Sequence, residues 1–131
     1  QEYKIMNNHK KIIAELISTG KWDQFNAEIG ISANFKCEYC GKDLLASVEN
    51  YREWQKDHII PLSKNGSGEK DNIALACRTC NVNVKSQWNP EDIVGKNATR
   101  KEKIEAVRKY VIHKRTELLE EVSYCRKIVF G

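Results

Sequence analysis

Two C-x-x-C pairs constrain this chain more than any other feature of its sequence. The first pair is Cys37 and Cys40, the second is Cys77 and Cys80, and residues 41–76 lie between them. Two such pairs commonly bring four thiolates tetrahedrally around one zinc ion. A redox-active C-x-x-C motif usually occurs once, so two copies argue against that alternative. The sequence therefore predicts one structural zinc site with a long insert between its halves.

The fifth cysteine, Cys125, has no place in this pattern. An odd cysteine count argues against a disulfide framework. Cys125 lies beside apolar residues in a helical pattern, and we expect it to be a small buried residue. The N-terminus has no secretory cleavage site. No apolar run approaches a length of about 18 residues, which a membrane-spanning helix needs. We expect a cytoplasmic protein, processed or cut from a longer chain because it begins at Gln1.

Apolar spacing predicts a helix near the N-terminus. Residues 4–18 place Ile5, Ile12, Ile13, Leu16 and Ile17 at helical spacing, and Gly20 is a typical stop. Residues 22–35 carry no clear period, so their type stays open. His9 in the first helix and His113 near the C-terminus do not belong to any group of candidate catalytic or metal-binding residues. We interpret both as solvated helix residues.

Capping signals predict two helices after residue 88. Asn89 followed by Pro90 and two acids is typical of a helix start with Asn as the cap. Thr99 and Glu102 have the spacing of a capping box. From there, apolar residues mark one face of a long amphipathic helix that we expect to end near Ser123.

The insert between the cysteine pairs predicts two short strands. Residues 54–62 (WQKDHIIPL) indicate a strand that ends at Pro61, and residues 72–77 (NIALAC) indicate a second one. A polar loop, residues 63–71, joins them, and residues 78–88 predict a short helix with Cys80 in its opening turn.

The insert also contains four residues that suggest chemistry: Asp57, His58, Asn72 and Asn81. Taken singly, each has an ordinary alternative as a strand-end charge, a satisfied histidine, a turn residue or a helix cap. Together with the cysteines they resemble the HNH endonuclease family, in the bacterial branch whose ββα-metal motif is held by a C-x-x-C…C-x-x-C zinc site. The stretches that carry the resemblance are C-E-Y-C-G, D-H-I-I-P-L-S, D-N-I-A-L-A-C-R-T-C-N and Lys85, within roughly residues 35–86.

The resemblance implies a single nuclease domain of the α+β class, with a ββα-metal core. In this organisation residues 35–88 form the zinc-stabilised core. Residues 1–34 form a helical N-terminal arm, and residues 89–131 form a helical C-terminal arm. Both arms lie outside the resemblance.

Phosphodiester hydrolysis explains why these residue types are needed. His58 can accept a proton from water near neutral pH and is the expected general base. Asp57 and Asn81 offer the oxygen ligands that suit Mg²⁺ or Mn²⁺. The resemblance implies that Asn72 tethers the loop that holds the histidine, and that the products carry a 5′-phosphate and a 3′-hydroxyl.

Two features fit this interpretation less directly. Adjacent residues of a regular strand point to opposite faces, so Asp57 and His58 can serve one site only if the strand twists or ends there. The family commonly places a lysine three residues after the last asparagine, whereas Lys85 is four after Asn81. The extra residue makes Asn83 a second candidate ligand. We prefer Asn81, which would share a helix face with Lys85 and leave that lysine available to a phosphate.

Basic residues suggest where nucleic acid binds. The formal net charge of the chain is +4, whereas residues 100–115 contain seven cations and two acids, placed against the helix dipole. Phosphate contact would explain this arrangement, and a solvated face is the alternative. The predicted nucleic-acid contacts are Lys64, Lys70, Arg78, Lys85, Arg100, Lys101, Lys103, Arg108 and Lys109.

The sequence thus predicts a metal-dependent HNH endonuclease with one structural Zn²⁺ and a catalytic Mg²⁺ or Mn²⁺. The expected partner is DNA, with duplex DNA preferred and RNA left open, and no membrane. Two other classes stay open: a zinc-stabilised nucleic-acid-binding module without catalysis, and an effector subunit of a defence or toxin system that needs a partner. Self-association is also left open.

Overall fold

Two antiparallel strands form the centre of the fold. The computed structural model describes residues 2–131, with side chains from residue 8 onward. Strand β1 (Trp54–His58) pairs with β2 (Ile73–Cys77), with Trp54 opposite Cys77 and His58 opposite Ile73. All of β2 is buried, as expected for a short apolar strand covered on both faces. Both strands were predicted, but β1 ends at His58, three residues before Pro61.

Helices precede the sheet. Helix α1 (Glu2–Ser18) ends before Gly20, whose φ of +75° suits a helix stop. Of the apolar residues predicted for it, the side chain of Ile5 lies outside the described part. Residues 22–35, which had no clear period, form α2 (Gln24–Ser32), and a single turn, α3 (Val48–Arg52), precedes β1.

The segment after β2 is a π-helix, Thr79–Lys85. Its wide turns show in the backbone bond from Ser86 N–H to the Asn81 carbonyl, which spans five residues. The predicted short helix is therefore present, but its backbone hydrogen bond spans one residue more than in an α-helix. Two 3₁₀ turns, Leu62–Lys64 and Lys70–Asn72, occupy the ends of the loop between the strands.

Two helices complete the chain. In α4 (Glu91–Val94) the cap position belongs to Pro90, one residue later than predicted, although Asn89 Oδ1 accepts a bond from Glu91 N–H at 3.0 Å. Helix α5 (Arg100–Phe130) begins with the predicted capping box. It continues past Ser123 to Phe130, because no helix-breaking residue follows until Gly131.

The core lies between the sheet, α2, the π-helix and the first part of α5. Its buried residues include Ile29, Leu75, Val84, Val107 and Val111. Trp88 stacks on Tyr110 of α5 with centroids 4.3 Å apart, which fixes the chain after the π-helix against α5. The fold is α+β with a ββα arrangement, and the predicted class is confirmed.

The end of α5 departs from expectation. Cys125 is exposed, so the prediction that it is buried is wrong. Apolar neighbours such as Val122 and Val129 are also more than half exposed, because this part of α5 extends beyond the core. His9 and His113 are exposed, as interpreted from the sequence. Within residues 2–131, no helix is both long enough and apolar enough to cross a bilayer.

Candidate active site and metal centre

Four cysteine sulfurs converge at the open end of the β1–β2 hairpin. The Sγ atoms of Cys37, Cys40, Cys77 and Cys80 all lie within 4.8 Å of one another. The Cys40 and Cys77 sulfurs are 3.7 Å apart. A tetrahedron with Zn–S bonds of about 2.3 Å has edges of about 3.8 Å, so the four donors fit Zn²⁺ in both chemistry and spacing.

Each C-x-x-C pair forms a turn whose backbone points at its first sulfur. Cys40 N–H donates to Cys37 Sγ and Cys80 N–H donates to Cys77 Sγ, both at 3.4 Å. Gly41 closes the first turn with a φ of +82°, a conformation that favours glycine. Hydrogen bonding with Cys37 and the other thiols of the cluster lowers the pKa of Cys40 and raises the pKa of Cys77 and Cys80. The four thiols therefore share protons, and zinc binding would release them.

A cavity of about 320 Å³ opens beside the loop end of the hairpin. Its walls come from the end of β1 with the following loop, and from the π-helix with the residues after it. The lining residues are Lys56, Asp57, His58, Pro61, Leu62, Asn81, Val82, Ser86 and Gln87. The structure thus brings Asp57, His58 and Asn81 to one cavity.

Asp57 forms the inner wall of this cavity and is only 5% exposed. Its Oδ2 accepts a hydrogen bond from the Tyr39 hydroxyl at 2.5 Å and lies 3.1 Å from Lys85 Nζ. Burial raises the pKa of the Asp57 carboxyl, while the Lys85 charge and the Tyr39 hydroxyl oppose that rise. A divalent cation in the cavity would oppose it further, because a nearby positive charge favours the carboxylate.

His58 is the last residue of β1 and is partly exposed. Strand alternation explains why Asp57 is buried whereas its neighbour His58 faces outward. Both still border the cavity, because β1 ends at His58 and the chain turns there. The adjacency that conflicted with a regular strand is thus resolved by the strand end.

Asn72 ties the two ends of the loop together from a buried position. Its Nδ2 donates to the carbonyls of Ile60 and Ser67, and its Oδ1 accepts from Ile60 N–H at 2.9 Å. The Asn72 carbonyl also accepts from Ile59 N–H at 2.8 Å. These contacts begin one residue after His58, so Asn72 restrains the chain where β1 ends.

The π-helix decides which asparagine faces the cavity. Asn81 lines it, and Asn81 Nδ2 donates to Gln55 Oε1 at 2.8 Å. Asn83 is exposed and lies instead beside Tyr110 and Lys114 of α5. Of the two candidate ligands, only Asn81 borders the cavity with Asp57 and His58.

Lys85 does not take the position predicted for it. Its side chain has no exposed surface, and its Nζ donates to the His58 carbonyl at 3.1 Å besides contacting Asp57. The prediction that Lys85 contacts a phosphate is wrong, because the π-helix turns this side chain under β1. Burial lowers the pKa of the Lys85 ammonium, and the charge of Asp57 opposes that shift.

Three other predicted phosphate contacts also have partners within the protein. Lys70 forms an ion pair with Glu28. Arg100 donates to both carboxylate oxygens of Glu38 and, at 2.9 Å, to the Ile73 carbonyl. Arg108 Nε donates to the Glu38 carbonyl at 2.6 Å. The two arginines therefore attach α5 to the first cysteine turn, which occupies part of their donor capacity.

The remaining five predicted contacts leave their cations available. Lys64, Arg78, Lys101 and Lys109 are exposed, and Lys103 is half-buried. None of the five belongs to the cavity lining, which comes from residues 56–62 and 81–87. Lys64 is nearest in sequence, two residues beyond Leu62 of the wall.

Sequence reasoning missed four residues that shape the two sites. Tyr39 holds Asp57, Gln55 holds Asn81, and Arg115 places a guanidinium nitrogen 3.8 Å from Cys80 Sγ. Lys56 lines the cavity. Only Lys56 had a usable signal, since the period of two places it on the same face of β1 as His58.

The ββα hairpin therefore combines four cysteines positioned for a zinc ion with a histidine, a carboxylate and an amide at one cavity. The model of the HNH endonuclease family matches residues 37–87. The resemblance read from the sequence is therefore confirmed over this segment, which contains both cysteine pairs and every residue of the cavity. The comparison with curated proteins finds no match, and neither does the comparison with solved structures.

Proposed function

We propose that the chain is a metal-dependent endonuclease that hydrolyses phosphodiester bonds of DNA. The observation that carries this proposal is the meeting of His58, Asp57 and Asn81 at one cavity inside the segment that matches the HNH family. A nucleic-acid-binding module without catalysis would need none of these three residues there. We further propose residues 35–88 as the catalytic core, with residues 1–34 and 89–131 as flanking arms.

His58 acts as the general base in this proposal. Its imidazole borders the cavity and is partly exposed, so a water molecule can reach it. By accepting the proton of that water, the neutral imidazole would let the water oxygen attack phosphorus. The P–O3′ bond would break, and the leaving 3′-oxygen would take a proton from solvent, which gives a 5′-phosphate and a 3′-hydroxyl. Asn72 supports the base by restraining the loop that begins one residue later.

Asp57 and Asn81 would hold the divalent cation. A carboxylate and an amide oxygen are the donors that Mg²⁺ and Mn²⁺ prefer, and two protein ligands leave positions open for phosphate and water. When bound, such a cation neutralises charge on the phosphate. Because Tyr39 and Lys85 contact Oδ2 of Asp57, Oδ1 is the oxygen that we assign to the cation.

Exposed cations support a polyanionic substrate. Lys56 forms part of the cavity wall and Lys64 follows it on the loop, so both can contact phosphates next to the scissile one. Lys101 and Lys109 on α5 would contact the backbone farther away. Such contacts contribute affinity without sequence information, so they suit nucleic acid in general.

A cleavage assay on supercoiled plasmid DNA tests the proposal. We expect nicking with Mg²⁺ or Mn²⁺, and a loss of rate of about 10²–10⁴ in His58→Ala. DNA affinity and zinc content should stay unchanged, because His58 is partly exposed at the end of β1. The matched control is His113→Ala, which removes an exposed histidine of α5 that pairs with Glu117.

The outcomes separate the three classes of function. Binding without cleavage, at any cation concentration, would favour the binding module. Cleavage that appears only when a partner protein is added would favour the effector subunit. Cleavage that survives in His58→Ala above a tenth of the wild-type rate would remove His58 as the base.

A further inference from the structure

We propose that Lys85 is a positioning residue, which holds the main chain of His58 and the carboxylate of Asp57 from beneath β1. The inference rests on the proposed nuclease function and deepens it. It replaces phosphate contact, the role that a lysine near this asparagine first suggested.

The contacts of Lys85 are those of an internal clamp. Its Nζ lies 3.1 Å from the His58 carbonyl oxygen and 3.1 Å from Asp57 Oδ2. The side chain is fully buried, and a buried ammonium needs charge compensation and hydrogen-bond acceptors within the protein. One lysine thus contacts two adjacent residues that the mechanism requires on opposite sides of the same strand.

The π-helix makes this reach possible. Cys80, Val84 and Lys85 are buried, whereas Val82 and Asn83 are exposed. The wide turn lets Asn81 face the cavity while Lys85 points beneath β1. Asn81 and Lys85 are separated by one residue more than is common in the family, and the wide turn of the π-helix accommodates that residue. Both side chains therefore still contact residues of β1.

Tyr39 shows that Asp57 is held from two directions. The Tyr39 hydroxyl and Lys85 Nζ contact the same oxygen, Oδ2, and Tyr39 is itself 2% exposed. The carboxylate therefore has little freedom to rotate. Since Lys85 also holds the next carbonyl along the chain, we infer that its removal would misplace both the base and the cation ligand.

Lys85→Met tests the clamp by separating turnover from binding. We expect kcat at saturating DNA and cation to fall by about 10²-fold, the size of effect that a misplacement of about 1 Å can produce. The DNA Kd and its salt dependence should not change, because a buried lysine neutralises no phosphate. If Lys85 contacted a phosphate, the variant would instead reduce the steepness of log K for DNA binding against log salt concentration by about 0.9. Turnover would then stay nearly intact. Lys96→Met, at an exposed lysine, is the matched control and should change neither quantity.

A second variant keeps the test decisive if Lys85→Met folds poorly, which loss of zinc would reveal. Lys85→Arg retains the positive charge, so a phosphate contact predicts near-normal turnover. The clamp predicts reduced turnover, because the wide guanidinium cannot occupy the same closed space between His58 and Asp57. Near-normal turnover in either folded variant, or a reduced salt slope, would overturn the inference. Inactivity of the wild type would instead overturn the nuclease proposal, so the two failures are distinguishable.

Discussion

The Asn81 side chain, which we propose as a cation ligand, makes one hydrogen bond that would orient it for that role. Because its Nδ2 donates to Gln55 at 2.8 Å, the amide oxygen is the end left for a cation in the cavity. Gln55 and Asn81 come from β1 and the π-helix, so the bond also fixes these elements relative to each other. The arrangement matches the general pattern in which outer partners orient metal ligands.

Asn81→Ala should weaken binding of the proposed catalytic cation and leave the fold intact. We expect the Mg²⁺ concentration for half-maximal cleavage to rise by about 10–100-fold, the usual cost of disturbing a metal site, with partial recovery at high Mn²⁺. Titration of cleavage rate against each cation measures this. Asn83→Ala is the control, since Asn83 lies outside the cavity; inactivity of that variant instead would reverse the assignment.

At the scale of residues, chemistry and spacing predicted which side chains border the cavity but not how each is held. Asp57, His58 and Asn81 stand out because their types suit phosphodiester cleavage. Tyr39 and Gln55 do not stand out, because their contacts depend on the approach of segments far apart in the chain. Lys85 was misinterpreted, since the sequence predicted an α-helix and thus a different direction for its side chain.

The two cysteine turns form an element that should depend on its ion. Zinc typically contributes about 10–16 kcal/mol in small domains, whereas a domain has a total stability of about 5–15 kcal/mol. We expect one zinc per chain, and loss of cooperative unfolding after complete chelation. Cys77→Ser should lose zinc and fold, whereas the matched variant Cys125→Ser, outside the cluster, should keep both. Elemental analysis and circular dichroism measure this; a folded, zinc-free wild type would contradict it.

The π-helix permits a second prediction at the scale of elements. Deleting the half-exposed Val82 would restore the family's more usual three-residue separation, and we expect the segment to become an ordinary α-helix that keeps zinc and cleavage. The control is deletion of Ala106 in α5, which would turn the rest of that helix by about 100° and expose its core face. Loss of zinc in the Val82 deletion would show that the π-helix itself is required.

Elements were predictable where local signals were strong. The capping box identified the start of α5. Short segments bounded by Pro61 and by the polar loop of residues 63–71 identified both strands. Helix α2 was not predictable, because the mixed apolar residues of its segment pack on two sides: Phe25 against the core and Trp22, just before the helix, against Phe35 and Trp54. The π-helix has no local signal, since tertiary contacts beneath β1 select it.

At the scale of the whole molecule, the salt dependence of DNA binding reports where phosphates lie. We expect replacement of four α5 cations by Gln to flatten the slope by about 0.9 for each phosphate that is no longer neutralised, with cleavage at saturating DNA little changed. The four are Lys101, Lys103, Arg108 and Lys109. The control is Arg126→Gln with Lys127→Gln, cations of the same helix beyond the core.

An unchanged salt slope in that variant would show that the basic face of α5 contacts solvent and not DNA phosphates. Phosphates would then be held by Lys56, Lys64 and Arg78 around the loop and the second cysteine turn. Arg100 is left unchanged in the variant because its guanidinium donates to the Glu38 carboxylate and to the Ile73 carbonyl. Arg108 also donates to the Glu38 carbonyl, so unchanged zinc content and thermal unfolding of the variant are required before its salt slope is compared. Binding isotherms at several salt concentrations provide the measurement.

The packing of α5 against the rest of the molecule was the feature least predictable from the sequence. Charge patterning marked the first half of α5 as basic, but the attachment of two of its arginines to Glu38 follows only from the docking of α5 on the first cysteine turn. The exposure of Cys125 was likewise hidden, because helical spacing of apolar residues does not say which part of a long helix reaches the core.

That exposure gives the protein an internal reporter. Cys125 is exposed and lies outside the four-cysteine cluster, so it should be the thiol that a mild thiol reagent or a maleimide dye modifies when zinc occupies that cluster. It lies ten residues beyond Arg115, about 15 Å along α5 from the cysteine cluster. A dye there can follow tumbling or DNA association without disturbing the cavity. The number of thiols titrated per chain, rising from one toward five, would read out loss of zinc directly.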